Sequence, residues 1–132
     1  MNKVRIGVAG ANGAFGSKHL DALSQIDNAE IVAAMATTRE KVNGVADKYS
    51  IPNRFDNYDE MLELADLDAV ILATPTQIHA EQGLKAMAAG KHVLIEIPMA
   101  DTIADSEALV SKQRETGLVA MAGHVRRFNP SH

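Results

Sequence analysis

Val4-Arg5-Ile6-Gly7-Val8-Ala9-Gly10-Ala11-Asn12-Gly13-Ala14-Phe15-Gly16 decides how the rest of the chain is read. Val4 to Ala9 has strand character, and Gly10 punctuates it. A helical stripe is expected to follow from Phe15 through His19, Leu23 and Ile26, spaced i, i+4, i+8 and i+11. Glycines in such a turn allow positive φ and let the backbone approach a ligand closely. The amides that open the helix have no intrahelical acceptor and lie at the positive end of its dipole, which suits a diphosphate. The dinucleotide fingerprint is G-x-G-x-x-G. Here the spacing is G-x-x-G-x-x-G, with one more residue between the first two glycines. The cofactor-binding set expected from this turn is Gly10, Ala11, Asn12, Gly13, Ala14, Phe15 and Gly16. The competing reading is a tight strand-to-helix turn that binds nothing.

Working outward, the same rhythm recurs. Glu30 to Ala36 reads as a second, buried strand, and Thr38 to Tyr49 as a helix. Gly44 in that helix costs about 1 kcal/mol against alanine. A short third strand is expected near Arg54-Phe55, followed by a helix with Asn57 as N-cap and Glu60 three residues on. Ala69-Val70-Ile71-Leu72-Ala73 is a continuous apolar run, the mark of a strand covered on both faces. A helix from about Ile78 to Ala89 stops at Gly90, and Val93 to Glu96 forms a fifth strand. Thr102 opens a helix that closes at Gly117, and Leu118 to Ala122 makes a sixth strand. Parallel neighbours need crossovers, and helices serve as those crossovers. The expected fold is therefore α/β: a doubly wound parallel sheet of the Rossmann type, one domain over residues 1–132.

Composition narrows the function classes. A chain of 132 residues is one domain's worth, since domains commonly run to about 100–150 residues. No cysteine is present, which excludes a disulfide scaffold, a thiolate nucleophile, a Cys-ligated zinc and an iron–sulfur cluster. A net charge of -4 and 4% aromatics argue against nucleic acid as a partner. No apolar run approaches the roughly 20 residues that span a bilayer, and the N-terminus lacks a secretory apolar stretch. A cytoplasmic location, with neither membrane nor metal as partner, is the expectation.

The end of the second strand reports cofactor preference. An Asp or Glu there would accept from the ribose 2′-hydroxyl and repel a 2′-phosphate. This chain has Thr37-Thr38-Arg39, hydroxyls and a guanidinium that suit a phosphate, so NADP is preferred, with NAD possible. The alternative is helix capping, with Thr37 and Glu40 as a capping box and Arg39 on a solvated face. Thr74, Pro75 and Thr76 end the fourth strand at the same carboxyl edge, where Thr76 can cap the next helix. His79 either points into the crevice or is an ordinary, partly exposed histidine. His19 shares the apolar stripe and is expected against the sheet; His92 is expected to be exposed; His124 ends the sixth strand and is a weak substrate candidate. Short-chain dehydrogenases share the glycine spacing but need Tyr-x-x-x-Lys. Tyr49 is followed by Asn53 and Tyr58 by Leu62, which closes that route.

Glu96-Ile97-Pro98, the glycine turn, Thr74-Pro75-Thr76-Gln77-Ile78-His79 and Gly123-His124-Val125-Arg126-Arg127-Phe128-Asn129-Pro130 together resemble the cofactor domain of the glucose–fructose oxidoreductase/inositol dehydrogenase family. Glu96-Ile97-Pro98-Met99-Ala100-Asp101 and Arg126 to His132 are most similar to its branch of 4-carboxy-2-hydroxymuconate-6-semialdehyde dehydrogenases, which act in aromatic degradation. The resemblance covers the whole chain but only the N-terminal part of such an enzyme. It implies a C-terminal domain, absent here, that supplies much of the substrate pocket and the surface for homo-oligomers. It also implies a cis Ile97-Pro98 bond in a turn that, with Glu96, contacts the cofactor. By position, Glu96 ends the fifth strand beside the expected nicotinamide ribose or only caps that strand end. Arg126 and Arg127 leave the sixth strand near the same edge, where a guanidinium fork suits a small carboxylated substrate or the nicotinamide amide, the alternative being a solvated basic pair. In the sugar dehydrogenases of the family a lysine assists proton transfer, and Ile97 holds its slot. An aliphatic side chain can neither donate nor accept a proton. A cyclic hemiacetal, more acidic than an ordinary alcohol, would tolerate that loss. The rival from another class is a nucleotide-binding module without turnover.

Overall fold

The computed structural model describes residues 2–124. Six strands alternate with five helices among these residues. The strands are β1 (Val4–Ala9), β2 (Ala29–Met35), β3 (Asn53–Phe55), β4 (Ala69–Leu72), β5 (His92–Glu96) and β6 (Ala120–Gly123). The helices are α1 (Ala14–Leu23), α2 (Arg39–Tyr49), α3 (Tyr58–Leu62), α4 (His79–Ala88) and α5 (Ile103–Thr116). All strand pairs are parallel, in the order β3-β2-β1-β4-β5-β6. The chain starts in the middle, winds outward to β3, then crosses back past β1 to β4. The doubly wound α/β expectation therefore holds, and the order reverses between β1 and β4, where such sheets open a crevice.

Each face of the sheet carries its own core. One side packs Val8, Leu20, Leu23, Ala34, Val42, Ala46 and Ile71, which brings α1 and α2 against the strands. The other packs Ala9, Ala33, Met61, Val70, Leu72, Met87, Ile95 and Leu109, under α3, α4 and α5. Val70 and Ile71 lie on opposite faces and both are buried, as a continuous apolar strand requires.

Several local expectations are corrected. The packed stripe of α1 is Gly16, Leu20 and Leu23; Phe15 is 51% exposed and Ile26 46%. Gly16 rather than Phe15 faces the turn, because a residue without Cβ is what lets the helix close on the backbone below it. The cap of α2 is Thr38, whose side chain accepts from the Lys41 N–H, so Thr37 and Glu40 form no capping box. Thr76 opens a short 3-10 turn (Thr76–Ile78) and caps nothing, since α4 begins at His79 with no side-chain cap. His92 is half-buried inside β5, where its Nδ1 accepts from the Val119 N–H at 3.0 Å. Asn57 does cap α3, accepting from the Glu60 N–H at 3.0 Å. Among the described residues no helix is long and apolar enough to cross a membrane, and no group of His, Cys, Asp or Glu could hold a metal.

Candidate functional site

The site grows from the backbone at the end of β1. Gly10 takes φ +76°, a region glycine enters at little cost, and any Cβ there would meet the Ala73 carbonyl oxygen at 2.4 Å. A Cβ on Gly16 would stand 2.1 Å from the Gly10 carbonyl oxygen, so α1 sits directly on the turn. Gly13 is the N-cap with ordinary φ -79°, and its nearest neighbour would be 3.4 Å away. Neither conformation nor protein packing demands glycine at position 13.

The amides divide into two groups. Gly10 and Ala11 both donate to the Met35 carbonyl at 3.0 Å, and Gly13 donates back to Gly10 at 3.1 Å. Those three are spent on the turn, and Ala11 is fully buried. The N–H groups of Asn12, Ala14, Phe15 and Gly16 have no acceptor among the described residues. They open a helix of 10 residues, and the first intrahelical bond runs from the Ser17 N–H to Gly13. This is a donor cluster fit for diphosphate oxygens, and it involves fewer residues than the whole Gly10–Gly16 segment.

Beyond β2, Thr37, Thr38 and Arg39 are exposed at the same rim. The Arg39 guanidinium is 51% exposed; Nη1 donates to the Arg54 carbonyl at 2.6 Å and Nη2 lies 3.5 Å from Asp56. It is thus held over the end of β3 and is not loose in solvent.

On the other side of β1, a cavity of about 190 Å³ is lined by Phe15, Ala73, Thr74, Pro75, Thr76, His79, Glu96 and Ile97. Every one of these except Ala73 belongs to the expected cofactor set. A larger open groove along α5, from Ala100 to Arg114, is formed by one helix and the segment before it and has no convergence of strand ends. The Ile97–Pro98 bond is cis, as the resemblance implies. Ile97 is 42% exposed. Glu96 is buried, and its carboxylate pairs with the imidazole Nε2 of His19, reaching across from α1. The sequence placed His19 against the sheet but gave no sign of this partner, 77 residues away.

His79 is not partly exposed; it is 2% exposed and both ring nitrogens contact backbone carbonyls. Beside it, the Thr74 hydroxyl donates to the Gln82 side-chain carbonyl at 2.6 Å, and Tyr58 donates to the Gln82 backbone carbonyl at 2.6 Å. Sequence reading missed Gln82, whose only signal was a polar residue on the inner face of α4. Burial raises the Tyr58 phenol above its ordinary 10.0, helped by Asp59. His124 is exposed just past β6. Arg126 and Arg127 lie outside the described residues.

The model of an oxidoreductase family with an NAD-binding Rossmann fold matches residues 4–124. The chain is similar to a 4-carboxy-2-hydroxymuconate-6-semialdehyde dehydrogenase of Sphingobium sp. (strain NBRC 103272 / SYK-6). The two are 55% identical over 129 residues, 98% of this chain and 41% of the relative. Among solved structures, scyllo-inositol dehydrogenase from Lactobacillus casei with bound cofactor NAD(H) and scyllo-inositol superposes with a TM-score of 0.91 at 28% identity, covering 98% of this chain and 38% of that one. A 3-ketoreductase from Actinomadura kijaniata in complex with TDP-benzene and NADP gives 0.92 at 30% identity, covering 99% and 41%. The chain therefore spans about two-fifths of the length of these relatives.

Proposed function

The chain belongs to the oxidoreductase family with an NAD-binding Rossmann fold, and we propose that it is the dinucleotide-binding domain of an NADP-preferring dehydrogenase. Its substrate would be a cyclic hemiacetal formed from a carboxylated semialdehyde, as in aromatic degradation. The observation that carries the reading is the set of acceptor-less amides at Asn12, Ala14, Phe15 and Gly16, which gives the diphosphate its donors. The likeness to the Sphingobium enzyme supports the substrate class.

Each residue then has a task. Thr38 and Arg39 meet the 2′-phosphate, which would replace Asp56 as the partner of the guanidinium; an acid in their place would repel it. Thr74, Pro75, Thr76 and His79 form one wall of the cavity, and Glu96 and Ile97 the other, around the nicotinamide ribose, with Pro98 behind them in the cis turn. When bound, the oxidised nicotinamide accepts a hydride. With a hemiacetal substrate, loss of hydride from its carbon would have to be matched by loss of the hydroxyl proton to a base, giving a lactone. Ile97 supplies an apolar wall and carries no proton. The base comes from water or from a segment of a longer enzyme, as do the remaining substrate contacts, with His124, Arg126 and Arg127 placed nearby in sequence.

The test is titration of the chain with NADPH and NADH side by side. NADPH should bind at least tenfold more tightly, since a charge-assisted hydrogen bond is worth about 1.5–3 kcal/mol. Arg39→Ala should remove most of that preference and leave NADH within about twofold. Tighter binding of NADH refutes the phosphate assignment, and saturable binding without substrate turnover favours a module that only holds the nucleotide. If Ile97→Lys in a full-length relative raises turnover of the semialdehyde, the hemiacetal argument is wrong.

A further inference from the structure

His79 occupies an unusual place. It is 2% exposed, Nδ1 lies 2.9 Å from the Pro98 carbonyl oxygen, and Nε2 lies 2.7 Å from the Thr74 carbonyl oxygen. Both partners are acceptors and neither can donate. A neutral imidazole has one N–H and one lone pair, whichever tautomer it adopts. In that form, one nitrogen would aim its lone pair at a carbonyl oxygen within hydrogen-bond distance, buried from water. Only the imidazolium has a donor for each carbonyl.

We infer that His79 is a positioning residue that keeps both N–H protons at neutral pH and, through them, ties the turn after β4 to the turn after β5. Those turns are the two walls of the 190 Å³ cavity. The inference concerns geometry first; its effect on cofactor binding rests on the function proposed above.

The surrounding charges fit. Glu96, from the end of β5, lines the same cavity. His19, from α1, stands behind Glu96 and pairs with it. The β4 turn, the 3-10 turn Thr76–Ile78 and the segment Ile97–Ala100 contribute no charged side chain. On α4 itself, Glu81 is engaged with Lys85 at 3.4 Å. The N-terminal dipole of α4 opposes a cation at His79. Two charge-assisted carbonyl bonds act against it.

The decisive measurement is the nitrogen spectrum of the chain labelled with ¹⁵N-histidine at about pH 7, slightly above the ordinary imidazole range of roughly 6.5. The chain has five histidines, and His79 is the set of signals lost in His79→Gln or, if that variant does not fold, the set linked through bonds to the α4 backbone. One-bond N–H couplings at both ring nitrogens are expected. A single protonated nitrogen, in either tautomer, overturns the inference.

Binding supplies a second readout. NADPH affinity of the wild type, divided by that of His79→Gln, should fall roughly tenfold between about pH 6 and pH 9, the worth of one charge-assisted hydrogen bond. Taking the ratio removes the titration of the nucleotide, which both measurements share. A ratio that stays constant over that range refutes a positioning role through the imidazolium. If neither protein binds dinucleotide while both N–H couplings are present, the proposed function fails and the protonation of His79 stands.

Discussion

The three glycines of the first turn separate packing from ligand contact, because their surroundings differ. At Gly16 an alanine methyl would lie 2.1 Å from the Gly10 carbonyl oxygen and 2.9 Å from the Ala11 Cα, both rigid backbone. Overpacking of this kind costs about 1–3 kcal/mol or more, against a helix-propensity gain of about 1 kcal/mol. At Gly10, φ +76° adds about 1–2 kcal/mol of backbone strain to a 2.4 Å clash with Ala73. At Gly13 the methyl would meet only the Gly10 oxygen at 3.4 Å, and replacing glycine by alanine at an N-cap costs about 0.5 kcal/mol. With roughly 4 °C of Tm per kcal/mol in a domain of this size, Gly10→Ala and Gly16→Ala should melt several degrees below wild type. Gly13→Ala should stay within about 2 °C by the same conversion. Gly13 stands between Asn12 and Ala14, whose N–H groups belong to the donor cluster, and close approach of a diphosphate to that segment would leave no room for a methyl. Gly13→Ala should therefore lose at least tenfold in NADPH affinity, about 1.4 kcal/mol, while folding normally. The nucleotide's own fluorescence reports binding without interference, as the chain has no tryptophan. Undiminished binding by Gly13→Ala refutes close approach at the turn, and a wild-type Tm for Gly16→Ala refutes the packing argument.

Other perturbations read different parts of the molecule. The Arg5 guanidinium, with Nε at 3.0 Å and the backbone N–H at 2.8 Å, holds the Asp68 carboxyl at about 2, down from 3.8. A lowered folded value stabilises above the ordinary value and is lost as pH falls toward 2, so Asp68→Asn should flatten the acid limb of urea stability between about pH 4 and 2. Tyr58 has the opposite sign: burial favours its neutral phenol, so its contribution is complete below pH 10.0 and is lost at higher pH. Tyr58→Phe should remove that alkaline loss and cost about 1 kcal/mol near neutrality, because the Gln82 carbonyl loses its donor. Leu20→Ala, at a fully buried position between α1 and the sheet, should cost about 2–5 kcal/mol in chemical denaturation.

What the sequence disclosed depended on distance along the chain. The strands of Val4–Ala9 and Ala69–Leu72, the cap at Asn57 and the turn at Gly10 are local, and their residue types announce them. The α1 stripe was misread because periodicity counts apolar side chains, and Gly16 packs by having none. Partners far apart left no local trace. Arg39 is steered by Arg54 and Asp56, His19 by Glu96, and His79 by Thr74 and Pro98. In each case the residue was visible as a candidate, but its orientation follows from which strand ends become neighbours after the chain reverses at β1. The division of amides at the turn was likewise hidden, since the Met35 carbonyl that takes two of them belongs to the next strand.

Because every strand runs the same way, the glycine turn, Thr37 to Arg39 and the 190 Å³ cavity all sit on one rim, and the opposite rim carries none of them. Asn28, Asp66 and Lys91 lie there, at strand beginnings remote from the free amides. A tether or dye fixed at that end would hold the protein upright on a sensor surface with the candidate site facing the flow.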